Sequence, residues 1–412
     1  PVLINRDIKY IPALLRIFVE ITSNAIDNIY RSAEDGIDMN KIKIDINHET
    51  GETSIWNDGS WIPIDEHEEE KVPIPKMIFG ELLTSDNYDD TVQRAGSGRN
   101  GYGAKLTNVF STQFKIEIGV PNTKNGIDVY RQVWTDGMKV CKKHTITSRK
   151  TGTPYTMVTW TPDFAYFGID CYSDDLLALY YRYIYDTAMI SGCSGVSVML
   201  NKKKVKINNL KDYAKLFNDT TEILQIQTKD SVVALIPDST YNFNAFVNGV
   251  HNSDGGVHVE AWGNAIFKPL LLKFNKKNKP QVSLKDVKQF FRILIKCDLP
   301  NPEFSSQSKT YLTAPTPVPK VEKKHINALM KWSFADKVRD IIQGKELLSL
   351  KKIQKSKKTF RKIPGYDPAN LAGTKDAGNC VCIFTEGLSA KTYAARGIEK
   401  GFFGNPNLPQ IK

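Results

Sequence analysis

The sequence has 412 residues, of which 41% are hydrophobic, and it carries no apolar run long enough to span a bilayer. We therefore expect no membrane-spanning helix in this sequence, and the length predicts two to three globular units, each large enough for its own core. The net charge of +11 favours a polyanionic partner, with nucleic acid as the first choice, although a soluble lysine-rich protein explains the charge equally well.

Neither the start of the chain nor its cysteines indicate secretion. Residues 1–15 lack the charged flank, apolar core and cleavage pattern of a signal peptide. The first residue is not Met, which leads us to expect a piece of a longer protein. The six cysteines have neither metal-site nor disulfide spacing, and this favours a reducing, intracellular compartment.

The first half of the chain predicts alternating helices and strands. Apolar residues at helical spacing predict an amphipathic helix over residues 11–31. Alternating residues predict strands over 41–49 and 53–59, and a hairpin over 196–207. We therefore predict an α+β domain with a mixed sheet at residues 1–216.

The second half predicts a further α/β unit at residues 217–375. Its predicted elements are strands at 223–228, 231–238, 241–249 and 287–299, and a helix at 255–274. One long basic helix is predicted over 323–358. Residues 380–397 then predict a buried strand, a turn and a helix, with Cys380 and Cys382 in the core, as the start of a third domain at 376–412.

The first predicted helix carries a polar stripe. Glu20, Asn24, Asp27 and Asn28 share one side of it. A solvated surface is the ordinary explanation, but Asn is a mediocre helix former, and Ser23 stands where a surface helix usually has Lys or Glu. An Asn oxygen can ligate Mg²⁺ while a Glu one turn away serves as a general base, so the stripe favours hard-cation chemistry.

Two further motifs follow along the chain. Asp58-Gly59 ends a predicted strand; a β-turn explains the pair well, but a carboxylate there can also accept a hydrogen bond from an exocyclic amine.

Glycines at 98, 101 and 103 precede Ala104, Lys105 and a predicted helix. A flexible loop is one explanation, but glycines, a helix start and a lysine together favour a phosphate site. The run matches neither the P-loop nor the dinucleotide fingerprint.

The second half carries weaker signals. Gln307, Ser308 and Lys309 form a polar loop, and spacing alone says no more. Lysines at 273, 276, 277 and 279 form a tract for which a solvated surface is the default. A second basic cluster comprises Lys351, Lys352, Lys355, Lys357, Lys358, Arg361 and Lys362. Glu386 follows the last predicted strand, where a carboxylate can bind Mg²⁺ or cap a helix.

Taken together, these segments resemble a known family. "EITSNAIDN", "WNDGSWIP", "FGELLTSDNYDD", "GRNGYGAKLTNVFS", "NPEFSSQSK" and "IFTEGLSAKT" follow in the order and spacing of the ATPase region of eukaryotic-type DNA topoisomerase II. That region belongs to the GHKL class, with gyrase B, Hsp90 and MutL. The glycine loop differs from that of gyrase-type chains, which favours the eukaryotic or viral branch. Another GHKL ATPase, or a nucleotide-binding DNA clamp without turnover, stays open as an alternative.

The resemblance implies a fold and a set of cofactors. The fold is a GHKL (Bergerat) mixed-sheet sandwich, then a ribosomal-S5-like transducer domain with a long C-terminal helix, then the beginning of a Toprim domain. The cofactors are ATP and Mg²⁺. Two copies are expected to dimerise when ATP binds and to hold double-stranded DNA. The rest of the topoisomerase chain would carry DNA cleavage, and the expected location is the nucleus or a viral DNA compartment.

The resemblance also implies roles for individual residues. Glu20 activates the attacking water, Asn24 holds Mg²⁺, Asn28 lies near the phosphates and Asp58 reads the adenine amine. Ser85, Asp86 and Asn87 lie by the ribose and phosphates. The lid over the triphosphate consists of Gly98, Arg99, Asn100, Gly101, Tyr102, Gly103, Ala104 and Lys105.

In the second half, the implied loop of Gln307, Ser308 and Lys309 brings the lysine onto the γ-phosphate. The implied DNA contacts are Lys276, Lys277, Asn278 and Lys279. Glu386 matches the metal carboxylate of the Toprim motif. The chain departs from the family pattern at three positions: Trp61 reshapes the edge of the adenine pocket, Asp86 adds a charge near the sugar, and Leu388 replaces the Asp of the Toprim motif.

Overall fold

The computed structural model describes residues 2–81, 103–275, 281–356, 367–369 and 371–399. The chain divides into two compact units, Pro1–Leu271 with Leu284–Ala335, and Leu272–Ser283 with Asp336–Lys412. All of the described sheets lie in the first unit, so the predicted domain boundaries at 216 and 375 stay predictions. None of the helices in the described part combines the length and hydrophobicity that a bilayer span needs.

Within the described residues, the first sheet has nine strands. They are β1 (Lys41–Ile46), β2 (Thr53–Asp58), β3 (Ser111–Pro121), β4 (Ile127–Thr135), β5 (Val140–Cys141), β6 (Thr145–Arg149), β7 (Tyr155–Pro162), β8 (Ser197–Leu200) and β9 (Lys203–Lys204). Their order is β5-β4-β3-β7-β2-β1-β8-β9, with β6 paired to β4. Since β1 and β8 are parallel and β1 and β2 antiparallel, the predicted mixed sheet is confirmed.

Helices cover one face of this sheet. They are α1 (Pro12–Glu34), α2 (Ile74–Gly80), α3 (Gly103–Val109), α4 (Asp174–Gly192) and α5 (Leu210–Ala214). α1 begins with Pro12, which suits a first helical position because that position needs no amide donor. Leu14 and Phe18 of α1 are buried in one core with Ile44 of β1. This packing fixes which side of α1 is left to carry polar groups.

The other face of the sheet has a separate, smaller cluster. Ile127, Val129 and Tyr155 are buried there, with Trp56 packed against them. The Lys43 ammonium lies 3.7 Å from the centre of the Trp56 ring, a favourable cation–aromatic contact. Because side chains alternate along a strand, each residue of β1 and β2 belongs to either the helix-covered face or this outer face.

A second group of strands follows. The larger sheet has the order β10-β11-β15-β12-β13 and the smaller one β14-β17-β16. Their strands are β10 (Leu224–Gln227), β11 (Ser231–Pro237), β12 (Asn242–Val247), β13 (Val250–His251), β14 (Gly255–Gly256), β15 (Phe291–Cys297), β16 (Glu303–Phe304) and β17 (Tyr311–Ala314). The accompanying helices are α6 (Val257–Phe274) and α7 (Leu284–Lys288). The predicted α/β character of this region is confirmed.

The prediction of one helix over residues 323–358 is wrong. The chain forms α8 (Lys323–Leu329) and α9 (Phe334–Ser356) with a break between them. At the break, the Ser333 amide donates to the Glu222 carboxylate at 2.9 Å, and Trp332 packs on Phe291 with ring centres 6.0 Å apart. These tertiary contacts outweigh the helical periodicity of the local sequence.

The predicted buried strand near residue 380 is also wrong. Only an isolated bridge residue, Val381, precedes α10 (Leu388–Glu399), and a short 3₁₀ turn lies at Ala377–Asn379. Phe384 is 91% exposed, and Cys382 is exposed rather than in a core. A strand needs an edge partner to satisfy its amides and carbonyls, and no described strand pairs with this segment.

Candidate functional site

The polar stripe predicted on the first helix lies on α1 as expected. Glu20 is half-buried, Asn24 is exposed and Asn28 is buried. Asn28 Nδ2 donates to the Asp58 and Ser60 carbonyls at 3.1 Å each. The amide nitrogen of Asn28 therefore ties α1 to the turn after β2, which leaves its oxygen as the atom for a ligand.

The turn after β2 is fixed to α1 at several points. The Ser60 amide donates to Ser32 Oγ at 2.9 Å, and Ser60 Oγ donates to Asp35 at 2.6 Å. Gly59 has φ of +97°, and a Cβ there would lie 2.4 Å from Ser32 Oγ. Only glycine fits this position, so the turn and the helix form one rigid piece.

The side chain of Asp58 points away from α1 and the turn that is attached to it. Its Oδ1 accepts from the Asn40 and Lys41 amides at 2.9 and 2.8 Å. Across the sheet it pairs with Tyr155, which belongs to the outer-face cluster. This placement argues against the predicted adenine contact of Asp58, because its side chain lies on the face opposite to α1.

Asn57 is a buried polar residue next to Asp58 that the sequence did not single out. It pairs with Ile42 across β1 and β2, so it lies on the helix-covered face with the α1 core. It is 6% exposed, and its Nδ2 donates to the Asp58 carbonyl at 3.0 Å. The alternation of the strand, with Ile55 in the core, was the signal that distinguishes the two neighbours.

Glu20 meets the start of α3. A Cβ at Gly103 would lie 2.1 Å from Glu20 Oε2, so the carboxylate lies directly against the Gly103 backbone. Glu20 Oε1 forms an ion pair with Arg16 one turn earlier. Thr107 Oγ1 donates to the Ile17 carbonyl at 3.1 Å, which anchors α3 on α1. The helix that bears the acid and the helix that follows the glycines are thus brought together.

Other predicted residues divide into placed and unplaced ones. Ala104 and Lys105 are buried in the first turns of α3, and Trp61 packs against the main core. Several predicted site residues lie outside the described residues: Ser85, Asp86, Asn87, Gly98, Arg99, Asn100, Gly101, Tyr102, Lys276, Lys277, Asn278 and Lys279.

Lys309 lies in the turn between β16 and β17. Gln307 and Ser308 are exposed there and Lys309 is half-buried. Ser306 Oγ and Ser308 Oγ share a hydrogen bond of 2.7 Å. The predicted loop is therefore a tight, exposed turn with its lysine at the inner end.

A hydrogen bond links α1 to the segment after β15 of the second sheet. The Tyr30 hydroxyl donates to Asp298 at 2.6 Å, and Lys296 pairs with the same carboxylate. Burial raises the pKa of Tyr30 well above its usual value, and the Asp298 charge raises it further. The hydroxyl therefore stays protonated and donates. Asp298 follows β15, and the chain continues from it into β16 and the Lys309 turn.

No group of three or more His, Cys, Asp or Glu in the described ranges is arranged to hold a metal by itself. Glu386 is exposed, just before α10. Asn24 offers an exposed amide one turn from the half-buried Glu20. A hard cation at Asn24 would need further oxygen ligands, which phosphates supply.

Comparisons with known proteins agree with this arrangement. The family model described as DNA gyrase B matches residues 199–361. DNA topoisomerase 2 of Invertebrate iridescent virus 6 is 36% identical, over 94% of this chain and 36% of that protein. DNA topoisomerase 2 of Candida glabrata is 37% identical, over 96% of this chain and 29% of that protein. The chain thus spans about a third of the length of the curated relatives it matches.

A solved structure gives a match over most of its own length. The ATPase region of Saccharomyces cerevisiae topoisomerase II superposes with a TM-score of 0.74 and 35% sequence identity. The match covers 82% of this chain and 88% of that one. Sequence and fold therefore point to the same family.

Proposed function

The chain belongs to the topoisomerase II family, within its ATPase region, and from this premise we propose that it binds and hydrolyses ATP as the gate of a type II DNA topoisomerase. The resemblance predicted from the motifs is confirmed by the relatives. In the proposed cycle, ATP binding brings two copies together around a DNA segment, and hydrolysis releases them. DNA cleavage is assigned to the remainder of the topoisomerase chain.

One observation carries the proposal: the Glu20 carboxylate lies against the backbone at Gly103, where α3 begins. The first amides of a helix have no partner within it and attract phosphate oxygens. A carboxylate beside them can accept a proton from a water that attacks the terminal phosphate. Arg16 pairs with the other oxygen of Glu20 and so orients the carboxylate.

Mg²⁺ fits the donors on α1. Asn24 would hold it through its side-chain oxygen, with the remaining ligands from the phosphates and water. The cation would neutralise negative charge on the triphosphate. Glu20 would act as the base and not as a ligand of the cation, because Arg16 holds Oε1 and so turns Oε2 towards the start of α3.

Asn57 is assigned to the adenine in place of Asp58. Its Nδ2 is engaged with the Asp58 carbonyl, which leaves Oδ1 to accept from the exocyclic amine. Asn28 and Ser32 hold the adjacent turn on α1. Discrimination against guanine then follows, because guanine presents a carbonyl where adenine has its amino group, and a buried acceptor facing a carbonyl is left unsatisfied.

Lys309 is assigned to the γ-phosphate from the second sheet. A cation there stabilises charge that develops during phosphoryl transfer and loses its partner once the phosphate leaves. The Tyr30–Asp298 hydrogen bond supports communication, because Asp298 leads into the strand before the Lys309 turn. Convergence of Glu20 and Lys309 on one phosphate is part of the proposal.

DNA is assigned to the basic loop of Lys276, Lys277, Asn278 and Lys279. Such contacts would go to phosphates, so they would depend on salt and ignore sequence. Glu386 is assigned to the Toprim metal site, whose other ligands lie outside the described residues. The proposed location is the nucleus or a viral DNA compartment.

The decisive experiment is DNA-stimulated ATP hydrolysis. Glu20→Gln removes the base without changing size and is expected to lower kcat at least about 100-fold. Glu34→Gln makes the same charge change at the exposed end of α1 and is expected to keep wild-type turnover. Equal rates for Glu20→Gln and wild type would refute the assignment of the base.

The DNA assignment has its own arm. Neutralising Lys276, Lys277 and Lys279 together is expected to abolish the stimulation by DNA while leaving the rate without DNA unchanged, because the loop contributes only phosphate contacts. Stimulation that survives the triple change would remove the loop from the proposal. A chain that binds ATP and DNA but never turns over would instead be a clamp.

A further inference from the structure

The turn that carries Lys309 has an unusual backbone. At Lys309 the φ angle is +57°, in the left-handed region that residues with a side chain rarely adopt. The Lys309 amide donates to the Ser306 carbonyl at 3.0 Å within the turn. Non-glycine residues in this conformation concentrate at functional sites, where contacts from the surrounding structure stabilise them. The contacts that stabilise Lys309 are therefore of interest.

Asn252 holds the turn from outside. Its side chain is fully buried, and Nδ2 donates to the Lys309 carbonyl at 2.8 Å. Two residues further on, the Asp254 amide donates to the Thr310 carbonyl at 3.0 Å. Two consecutive carbonyls at the end of the turn are therefore fixed by one short segment.

That segment is anchored in the second sheet. The Asn252 amide donates to the Ala245 carbonyl of β12 at 2.8 Å. A Cβ at Gly256 would lie 2.4 Å from the Leu312 carbonyl oxygen, so the backbones of β14 and β17 are in direct contact. The donor that reaches Lys309 is consequently attached to rigid structure.

The contact depends on the amide of Asn252. Its Oδ1 is buried and has no hydrogen-bond partner among the described residues, so Nδ2 carries the polar contact of this side chain. The net contribution of such a bond and the cost of a left-handed residue are similar in size. One hydrogen bond can therefore decide which conformation the backbone at Lys309 adopts.

We propose that Asn252 is the positioning residue for Lys309: by donating to the carbonyl of a left-handed residue, it fixes the direction in which the lysine side chain leaves the turn. This inference rests on the proposed function, in which the lysine meets the γ-phosphate. Without the donor, the backbone returns to a commoner φ and the ammonium is displaced. Asn252 itself touches neither ATP nor the attacking water.

Asn248 provides a matched control. It is as buried as Asn252 and lies in the turn between β12 and β13. Its side chain donates to the Leu299 carbonyl at 2.8 Å and accepts from the Leu299 amide at 2.7 Å. Removing it costs two buried hydrogen bonds in the same sheet without removing a contact to Lys309.

The test is a double-mutant cycle in steady-state ATP hydrolysis by the full chain with DNA. Asn252→Ala is expected to lower kcat about 10- to 100-fold, as a displaced catalytic group does. ADP affinity is expected to stay unchanged, because ADP lacks the phosphate that the lysine meets. In a Lys309→Met background, Asn252→Ala is expected to cause no further loss. Asn248→Ala is expected to have the same effect on kcat in both backgrounds.

The outcomes distinguish the positioning role of Asn252 from the catalytic role of Lys309. Equal factors for Asn252→Ala with and without Lys309 would overturn the positioning role while leaving the role of Lys309 intact. A wild-type kcat for Lys309→Met would overturn the role of the lysine, and the positioning role with it. If Asn252→Ala does not fold, Asn252→Thr, which keeps a hydroxyl donor, enters the same cycle, and its loss of kcat must likewise vanish in the Lys309→Met background.

Discussion

The first and second sheets hold their assigned catalytic groups in different ways. Glu20 lies on α1, a helix of 23 residues whose other side is buried in the main core and whose far end is tied to the turn after β2. Lys309 lies in a short exposed turn that Asn252 and Asp254 hold by single hydrogen bonds. One half of the proposed site is rigid by packing, and the other depends on a few polar contacts.

Both regions bury polar atoms without a partner among the described residues, such as Asn108 Oδ1 in the first, but those of the second include a histidine, which titrates. In the first region, the Asn28 amide has two acceptors. In the second, His258 is fully buried, and neither of its ring nitrogens has a partner among the described residues. Because a buried histidine titrates, we expect the second region to respond more strongly to solution conditions and single substitutions, and four experiments test this difference.

The largest effect is expected in the rigid half. Gly103→Ala would place a methyl group where Glu20 Oε2 now lies, 2.1 Å away, and packing prevents α1 from yielding. We expect kcat for ATP to fall about 100-fold, as a displaced catalytic group does, with DNA binding unchanged. Gly263→Ala is the control, since its Cβ would meet ordinary contacts at 3.7 Å. Wild-type turnover of Gly103→Ala would contradict the claim that packing fixes Glu20 beside Gly103.

The second effect concerns pH. Burial lowers the pKa of His258 from 6.5 to about 4, so the folded state binds the proton less well than the unfolded chain. The stabilisation, about 3 kcal/mol for such a shift, is present above pH 6.5 and is lost as the pH falls towards 4. Denaturant unfolding between pH 7 and pH 4 measures this slope.

His258→Gln is expected to reduce that pH slope even if it lowers stability at pH 7, because glutamine does not titrate. Burial also lowers the pKa of His251 to about 4, so part of the slope should persist in the single variant. An identical slope in wild type and His258→Gln would place the pH sensitivity elsewhere.

The third experiment compares neighbours on opposite faces of β2. Asn57→Ala is expected to weaken binding of a non-hydrolysable ATP analogue about tenfold, the loss of one buried hydrogen bond. Asp58→Ala removes the acceptor of the Asn40 and Lys41 amides and is expected to lower stability with little change in affinity. Calorimetry with ATP and GTP analogues measures both. A larger affinity loss for Asp58→Ala would restore the assignment based on the motif.

The smallest effect is expected at the junction of the regions. Tyr30→Phe removes the hydrogen bond to Asp298 and is expected to lower the free energy of unfolding by about 1 kcal/mol. Tyr181→Phe, which loses an exposed hydrogen bond to His48, is the control and is expected to change it by less than about 0.5 kcal/mol. Chemical denaturation measures both, and equal losses would show that the junction bond is not special.

The sequence predicted the frame better than the details of the site. Periodicity located α1 and the strands, and motif order identified the family. It did not distinguish Asn57 from Asp58, because a motif does not state which face of a strand a residue occupies. The break before Phe334 depends on Glu222 and Phe291, which are remote in sequence. The contact of Glu20 with Gly103 likewise appears only when α3 packs on α1.

Because hydrogen bonds attach the turn at Gly59 to α1, the helix fixes the distance between this turn and Glu20. About 12 Å of helix separates the positions of Glu20 and Asn28, at 1.5 Å per residue. Since that distance is set by a helix and not by a loop, the proposed purine end, at the turn that Asn28 holds, and the proposed hydrolytic end, at Glu20, cannot adjust to each other. In the proposed site, a nucleoside diphosphate or tetraphosphate would place the wrong atom beside Glu20. The fixed distance would therefore select nucleotides with three phosphates.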